Sequence, residues 1–243
     1  MKAHDPTDSA TTFAEIGRIF AELGRIKLGE TDLDGVLHQV ADLARRTLPG
    51  AGQVSITMIR DGDAYTAAHT DRAVLVLDEH QYARAAGPGL DAARNRTTVA
   101  ILDAANDERW DGWPRLAAEA GFGSVLSAGL PIGERMSGAL TLYGERPHGF
   151  GDDGVTQTGT FVRYAAVALA NAHLYDSAAS LAQHMQAAME SRAVIEQAKG
   201  IIMGERRCSA DEAFAMLTRV SQDSNRKLRD VAAALVERTQ RAP

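Results

Sequence analysis

The chain has one cysteine, Cys208, so it forms no disulfide within itself and offers no multi-cysteine metal site. Cys208 has no His or Asn beside it in sequence that would make a nucleophilic pair, and it reads as a bystander. There is no run of about 18 apolar residues, so no transmembrane helix is expected. No basic segment followed by an apolar stretch opens the chain, so no secretory leader is expected, and a cytoplasmic location is the default. The seven histidines, from His4 to His184, are scattered, with no HExxH spacing, and no GxxxxGK[ST] phosphate loop is present. No nucleophile, acid or base set converges. The expectation is a protein that is not an enzyme, has no metal site and carries no identifiable cofactor. Proline is missing from the whole stretch between Pro147 and Pro243.

What is there suits a soluble globular chain. Its 243 residues suffice for one large domain or two smaller ones, with 45% hydrophobic and 24% charged residues. Only the first stretch, MKAHDPTDSA, is compositionally disordered, and 1–12 is expected to be a disordered tail. Charge is divided unevenly. Residues 192–243 carry 10 Lys/Arg against 7 Asp/Glu, a net +3, while the rest of the chain carries −9. An acidic body with a basic tail points to an anionic partner for the tail.

Phe13–Leu28 places Phe13, Ile16, Phe20 and Leu23 at helical spacing, and Gly29 is a plausible stop. Thr31 or Asp32 caps a second helix with Leu33, Val36, Leu37, Val40, Leu43 and Ala44 on one face, ended by Pro49-Gly50. The period then changes. Gln53–Arg60 alternates and is β-branched, Asp61-Gly62 is a two-residue hairpin signal, and Asp63–Thr70 reads as the returning strand. Ala73–Asp78 is too short for periodicity to decide between strand and helix. Gly87-Pro88-Gly89 reads as a sharp turn and Leu90–Arg94 as one or two helical turns. Thr97–Leu102 reads as a short buried strand and Pro114–Ala120 as a short helix ended by Gly121. Ser124–Pro131 and Ser137–Tyr143 are an antiparallel strand pair joined near Gly133. The middle block is therefore α+β with an antiparallel sheet that flanking helices can cover.

From Asp152 the pattern is helical for about fifty residues. Leu174, Leu181, Ala188, Ile195 and Ile202 recur every seven residues, the spacing of a coiled-coil or bundle seam. At ~1.5 Å per residue, an unbroken helix from Asp152 to Met203 would span about 78 Å, more than one small domain can bury. The same helix of a second chain would cover it, which makes a homodimer the expectation. The other reading is two helices with a break near Ser177 or Ser191. Gly204 is expected to close the helix. Ser209-Ala210-Asp211-Glu212 is a capping box that opens a helix with Ala213, Leu217 and Val220 on one side and Phe214 counted towards the core. Ser221–Asn225 then turns, and Asn225 is expected to cap a last helix with Leu228, Val231, Ala232 and Leu235 inside. Arg226, Lys227 and Arg229 fall in its first turn, where the helix dipole disfavours cations unless an anion is bound.

Residues 190–238 resemble the ANTAR domain, an RNA-binding antitermination module. The resemblance is carried by IEQAKGIIM (Ile195–Met203), by Ser209 with Asp211-Glu212-Ala213-Phe214, by Leu217 and Ser221, and by NRKLRDVA (Asn225–Ala232). The block from Thr31 to Ala172 resembles a GAF domain through its strand order, Gly87–Asp103, Glu108–Trp110, Ser124–Pro131 and Gly138–Phe150. It lacks the cyclic-nucleotide GAF signature and any cysteine for a bilin.

The resemblance implies a transcription antitermination regulator. Its RNA partner is a pair of stem-loops in a leader transcript, bound as a dimer under control of a sensor that takes an unknown small molecule or serves dimerisation. The implied architecture is a tail (1–12), a GAF-like domain (13–174), a helical coiled-coil linker (175–191) and a three-helix ANTAR bundle (192–243). Lys199, Arg219, Asn225, Arg226, Lys227 and Arg229 are the candidate RNA-binding groups. His69, Trp110, Trp113 and Tyr143 are candidates for a ligand pocket, the tryptophans alternatively anchoring a loop on the core. The other functional reading is a sensor whose helical tail binds a protein or DNA.

Overall fold

A computed structural model of the chain describes residues 21, 22, 24, 31–133 and 136–241. The tail expected over 1–12 and most of the helix expected over Phe13–Leu28 lie outside them. Within that helix Ala21 and Glu22 are helical, and the Glu22 carboxylate lies 3.4 Å from Arg46.

Helix α1 (Leu33–Thr47) begins at Asp32, whose carboxylate accepts from the Gly35 N–H at 2.9 Å, and it buries Val36, Leu37, Val40, Leu43 and Ala44 as its period requires. Strands β1 (Gln53–Arg60) and β2 (Asp63–His69) form the expected hairpin. Asp61 and Gly62 take φ of 53° and 97°, the paired positive values of a type I′ turn.

The ambiguous stretch resolves as helix. α2 (Arg72–Arg84) includes Ala73–Asp78 and continues through His80, capped by the Asp71 carboxylate on the Ala73 N–H at 2.7 Å. Its buried residues are Val74, Leu77, Asp78 and Gln81, a helical i, i+3, i+4, i+7 set. Two of the four are polar, so no apolar stripe marks the helix in the sequence. Gly87-Pro88-Gly89 starts α3 (Pro88–Asn95), with Pro at the helix start, where a missing N–H costs nothing. A Cβ at Gly87 would overlap the Gln81 amide, so the close approach of α2 and α3 needs glycine there. β3 (Thr98–Ile101), a 3-10 turn at Trp110–Gly112, α4 (Trp113–Glu119), β4 (Ser124–Leu130) and β5 (Met136–Gly144) complete the block.

The five strands pair antiparallel throughout in the order β2-β1-β5-β4-β3. Alternation sends Val54, Ile56, Met58, Leu126, Leu140 and Leu142 to one face, where they pack with α1 and with Phe161, Val162, Ala165 and Leu169 of the next helix. The other face has a polar centre of Ser55, Thr57, Ser127 and Thr141, all buried. This is the α+β class with a flanked antiparallel sheet that the strand pattern predicts.

The chain divides into two compact units, Met1–Asp176 and Ser177–Pro243. Helix α5 (Asp152–Arg206) is one helix of 55 residues, without a break at Ser177 or Ser191. Gly204 does not close it. The helix runs two residues further, and Arg207 leaves it at φ 51°. α6 (Ala210–Ser224) opens on the capping box, with the Ser209 hydroxyl accepting from the Glu212 N–H and the Glu212 carboxylate accepting from the Ser209 N–H at 2.8 Å. α7 (Leu228–Arg241) closes the bundle. Ala198, Leu217, Val231 and Ala232 are its buried centre, with Ile195, Ile202, Leu228 and Leu235 around them. Among the described residues, no helix is long and apolar enough to cross a membrane.

Candidate functional site

In the C-terminal unit the expected basic groups fall on three elements. Lys199 lies on α5, and its ammonium reaches both Glu196 oxygens, at 2.9 and 3.0 Å. Arg219 is exposed on α6. Asn225, Arg226, Lys227 and Arg229 gather around the α6–α7 connection. Asn225 is not the cap of the last helix. It is the C-cap of α6, left-handed at φ 49°, a conformation asparagine tolerates well, and α6 runs on through Ser221–Ser224. Its N–H bonds the Gln222 carbonyl at 3.2 Å, and the Arg226 N–H bonds the Ser221 carbonyl at 3.1 Å. On the other side the Lys227 carbonyl accepts from the Asp230 N–H at 2.9 Å, so the turn bearing Arg226 and Lys227 is fixed from both sides.

α7 starts at Leu228, so Arg226 and Lys227 precede it and only Arg229 is inside its first turn. The dipole conflict is also eased from within. Asp230 sits in that first turn and pairs with Arg229 at 3.3 Å. Both partners of this pair are half-exposed, so it contributes little energy. Phe214, expected in the core, is 44% exposed, since Ala213 and Leu217 take the inner positions of α6. Met216 and Val220 are exposed on the same helix. Reading α6 with Phe214 on its apolar side missed this, because a helix of 15 residues packed on two neighbours buries only a narrow stripe.

In the N-terminal unit, Trp110, Trp113 and Tyr143 come together in one apolar cluster with Val74, Leu77 and Phe122. Trp113 is fully buried, and its indole N–H donates to the Leu77 carbonyl at 2.9 Å. Half-buried Trp110 donates to Asp91 of α3 at 2.7 Å, with the Arg109 guanidinium 4.5 Å over its ring. Both tryptophans thus anchor the loop before α4. His69 is not in that cluster. It faces Ser55 across the β1–β2 ladder.

The sequence did not single out Asp78, yet the polar face of the sheet is organised around it. Its carboxylate is fully buried and accepts from Tyr143 at 2.8 Å, Thr66 at 3.0 Å and Gln81 at 3.2 Å. Tyr82 joins Thr66 and Thr57 at 2.8 and 3.0 Å, and Gln81 accepts from the Gly89 N–H at 2.9 Å. No cation pairs with Asp78 among the described residues. Burial pushes its pKa up to about 6 from an ordinary 3.8, partly offset by the nearby hydroxyls of Tyr143, Ser55 and Thr66. Burial likewise raises the Tyr143 and Tyr82 phenols, and the Asp78 charge adds to both. Among the described residues no group of three His, Cys, Asp or Glu side chains could hold a metal ion.

The profile of the GAF domain matches residues 30–170, and that of the ANTAR domain matches residues 183–236. The chain therefore belongs to the GAF domain family and carries an ANTAR domain behind it, the arrangement of a GAF–ANTAR regulator. Both domains are regulatory types. Two solved structures share the N-terminal fold. The GAF domain of a phosphoenolpyruvate-protein phosphotransferase from Coxiella burnetii is 19% identical, with a TM-score of 0.51, over 68% of this chain and 96% of that one. The corresponding domain from Acinetobacter is 13% identical, with a TM-score of 0.51 and the same coverage. No curated protein matches the chain significantly.

Proposed function

We propose that the chain is a cytoplasmic, non-enzymatic antitermination regulator that binds a pair of stem-loops in leader RNA as a homodimer, under control of its GAF domain. The observation that carries the reading is the ANTAR match over 183–236. Hairpin loops present unstacked bases and phosphates, which charged side chains can reach. Lys199, Arg219, Asn225, Arg226, Lys227 and Arg229 are the groups proposed to do so, Asn225, Arg226 and Lys227 from the fixed turn between α6 and α7 and Arg229 from the first turn of α7. The dimer rests on α5. Leu174, Leu181, Met185 and Met189 are 66%, 60%, 59% and 67% exposed, and a second copy of the helix would cover them. Two linked sites match two loops, and avidity from such linkage reaches ~10²-fold or more. Trp110, Trp113 and Tyr143 remain the proposed neighbourhood of a small-molecule effector, with His69 apart from them on the β1–β2 hairpin. Exposed Phe214, Met216 and Val220 favour the second reading, in which the tail docks a protein.

The test is binding of the full chain to a tandem-hairpin RNA and to duplex DNA across a salt series. Preference for the RNA, with affinity falling steeply as salt rises, is expected. Lys199→Ala, Arg226→Ala and Lys227→Ala are each expected to weaken binding while the helical content stays constant. Equal binding to duplex DNA, or unchanged affinity in all three variants, refutes the assignment.

A further inference from the structure

Helix α5 packs with the apolar face of the sheet through Ala165, Leu169 and Ala172, all buried. Val167, Asn171 and Leu174 each stand two residues further along, about 200° round the helix, so they lie on its outer side. The outer row continues through Ala178, Leu181 and Met185, in alternate steps of four and three residues. Those are the inner positions, a and d, of a coiled coil. Val167 is 60% exposed, and Asn171, Leu174, Ala178, Leu181 and Met185 are exposed with it. At ~1.5 Å per residue the row is about 27 Å long. Beyond it the series at position d passes into the bundle, where Ile195 and Ile202 pack around Ala198.

The row is nearly free of charge. Between Tyr164 and Met189 the single Asp, Glu, Lys or Arg is Asp176, two residues from both Leu174 and Ala178 and hence on the opposite side of the helix. The flanking positions e and g, from Ala168 to Ser191, hold no Asp, Glu, Lys or Arg. Charges at those positions are what usually set the partner and direction of a coiled coil, and this stretch has none. The one polar side chain in the row is Asn171. Its amide carries both donors and an acceptor, so a second Asn171 answers it, whereas an aliphatic neighbour leaves it buried without a partner. A second copy of the chain is therefore the occupant that matches the row at every layer, apolar against apolar and amide against amide.

We propose that Asn171 sets the direction and register of the α5 pair: two copies run parallel and in register, with Asn171 facing Asn171. This rests on the homodimer proposed above and adds the residue that specifies its arrangement. Antiparallel pairing over the same stretch sets Val167 against Met185 and Asn171 against Leu181, and so buries two unpartnered amides. That disfavours it roughly 30-fold or more. The antiparallel register that does join the two amides sets Leu181 against Phe161, which is already buried in the core under the sheet. Only the parallel pair satisfies Asn171 and covers the whole row. Asparagine at such a position weakens the pair while specifying it. The parallel arrangement also carries both copies of Lys199, further along the same helix, to one end of the pair.

The experiment is disulfide cross-linking of the full chain in a glutathione redox buffer, with Cys208→Ser removing its one native thiol. Val167→Cys and Met185→Cys chains, one of them carrying a size tag, are mixed and the products separated by mass. Both substitutions fall on exposed positions, so the fold is kept. Expected are like-with-like products, 167 to 167 and 185 to 185, with the mixed 167-to-185 product at least ~30-fold scarcer. Adding Asn171→Leu to both chains is expected to bring the mixed product up beside the like ones, with association at least as tight in sedimentation equilibrium. A dominant mixed product with Asn171 in place overturns the parallel pair while leaving a homodimer. A like-only pattern that Asn171→Leu retains overturns the role of Asn171. Assembly into trimers or tetramers with Asn171 in place also overturns the proposal, and a chain that is monomeric at every concentration overturns it together with the homodimer.

Discussion

Replacing Leu181 by Ala tests the proposed dimer at the centre of its seam. Leu181 is 60% exposed and belongs to the heptad series with Leu174 and Ala188, so its truncation removes surface that a single chain does not use. Full burial of a leucine side chain is worth ~1.5–3 kcal/mol, and about 60% of that remains to be gained on pairing. Two symmetry-related leucines then make the substitution cost the dimer about 2–3 kcal/mol, or ~30- to 150-fold in Kd. The monomer is unharmed, because alanine is the better helix former at an exposed position. Sedimentation equilibrium over a concentration series reads the constant, and circular dichroism checks that helical content is kept. Met216→Ala, exposed on α6 away from the seam, serves as the control and leaves association unchanged. The seam is refuted if the unmodified chain is monomeric at every concentration, both alone and with RNA. It is equally refuted if Leu181→Ala associates as tightly as the parent.

Other outcomes follow from particular contacts. The stability difference between Asp78→Asn and the parent moves in favour of the variant as pH rises from about 4 to 6.5; a pKa raised from 3.8 to about 6, at ~1.4 kcal/mol per pH unit, makes the change over that window about 2 kcal/mol, read by denaturant titration at each pH. A difference that stays constant with pH refutes the raised pKa of Asp78. Ser209→Ala removes the N-cap oxygen of α6 and costs the C-terminal unit ~1 kcal/mol in thermal unfolding, with no effect on the N-terminal unit. Trp113→Ala empties a fully buried site and breaks the bond to the Leu77 carbonyl, for a loss of ~3–5 kcal/mol in the GAF domain.

The elements legible in the residues were those whose cue is local. The β1–β2 hairpin follows from alternation around Asp61-Gly62, and α1 from Asp32 and a clean apolar stripe. The capping box at Ser209 marks α6, and the heptad run with no proline marks α5. Each cue acts over two to seven residues, so neighbouring side chains suffice to state it. Where a neighbour's chemistry could be answered from elsewhere, local reading failed. Asn225 offers an N-cap side chain to the helix after it and a left-handed backbone to the helix before it. Packing of α6 to Ser224 selected the second. Gly204 is a weak stop that the helix overran, since the bundle core at Ala198 and Ile202 holds that part of α5.

By itself, then, the sequence determined the antiparallel α+β block, the long helix, the helical tail with its excess of basic residues, and the two family resemblances. It also excluded a disulfide within the chain. Only the tertiary structure decided that α2 is a helix, because its inner face is half polar and no hydrophobic period announces it. Only the tertiary structure brought Ser55, Thr66, Asp78 and Tyr143 together, from β1, β2, α2 and β5. A buried carboxylate draws its meaning from what surrounds it, and those surroundings are supplied by strand register and helix docking rather than by chain neighbours. The same holds for Phe214, which is apolar by composition yet stands exposed because Ala213 and Leu217 fill the space inside.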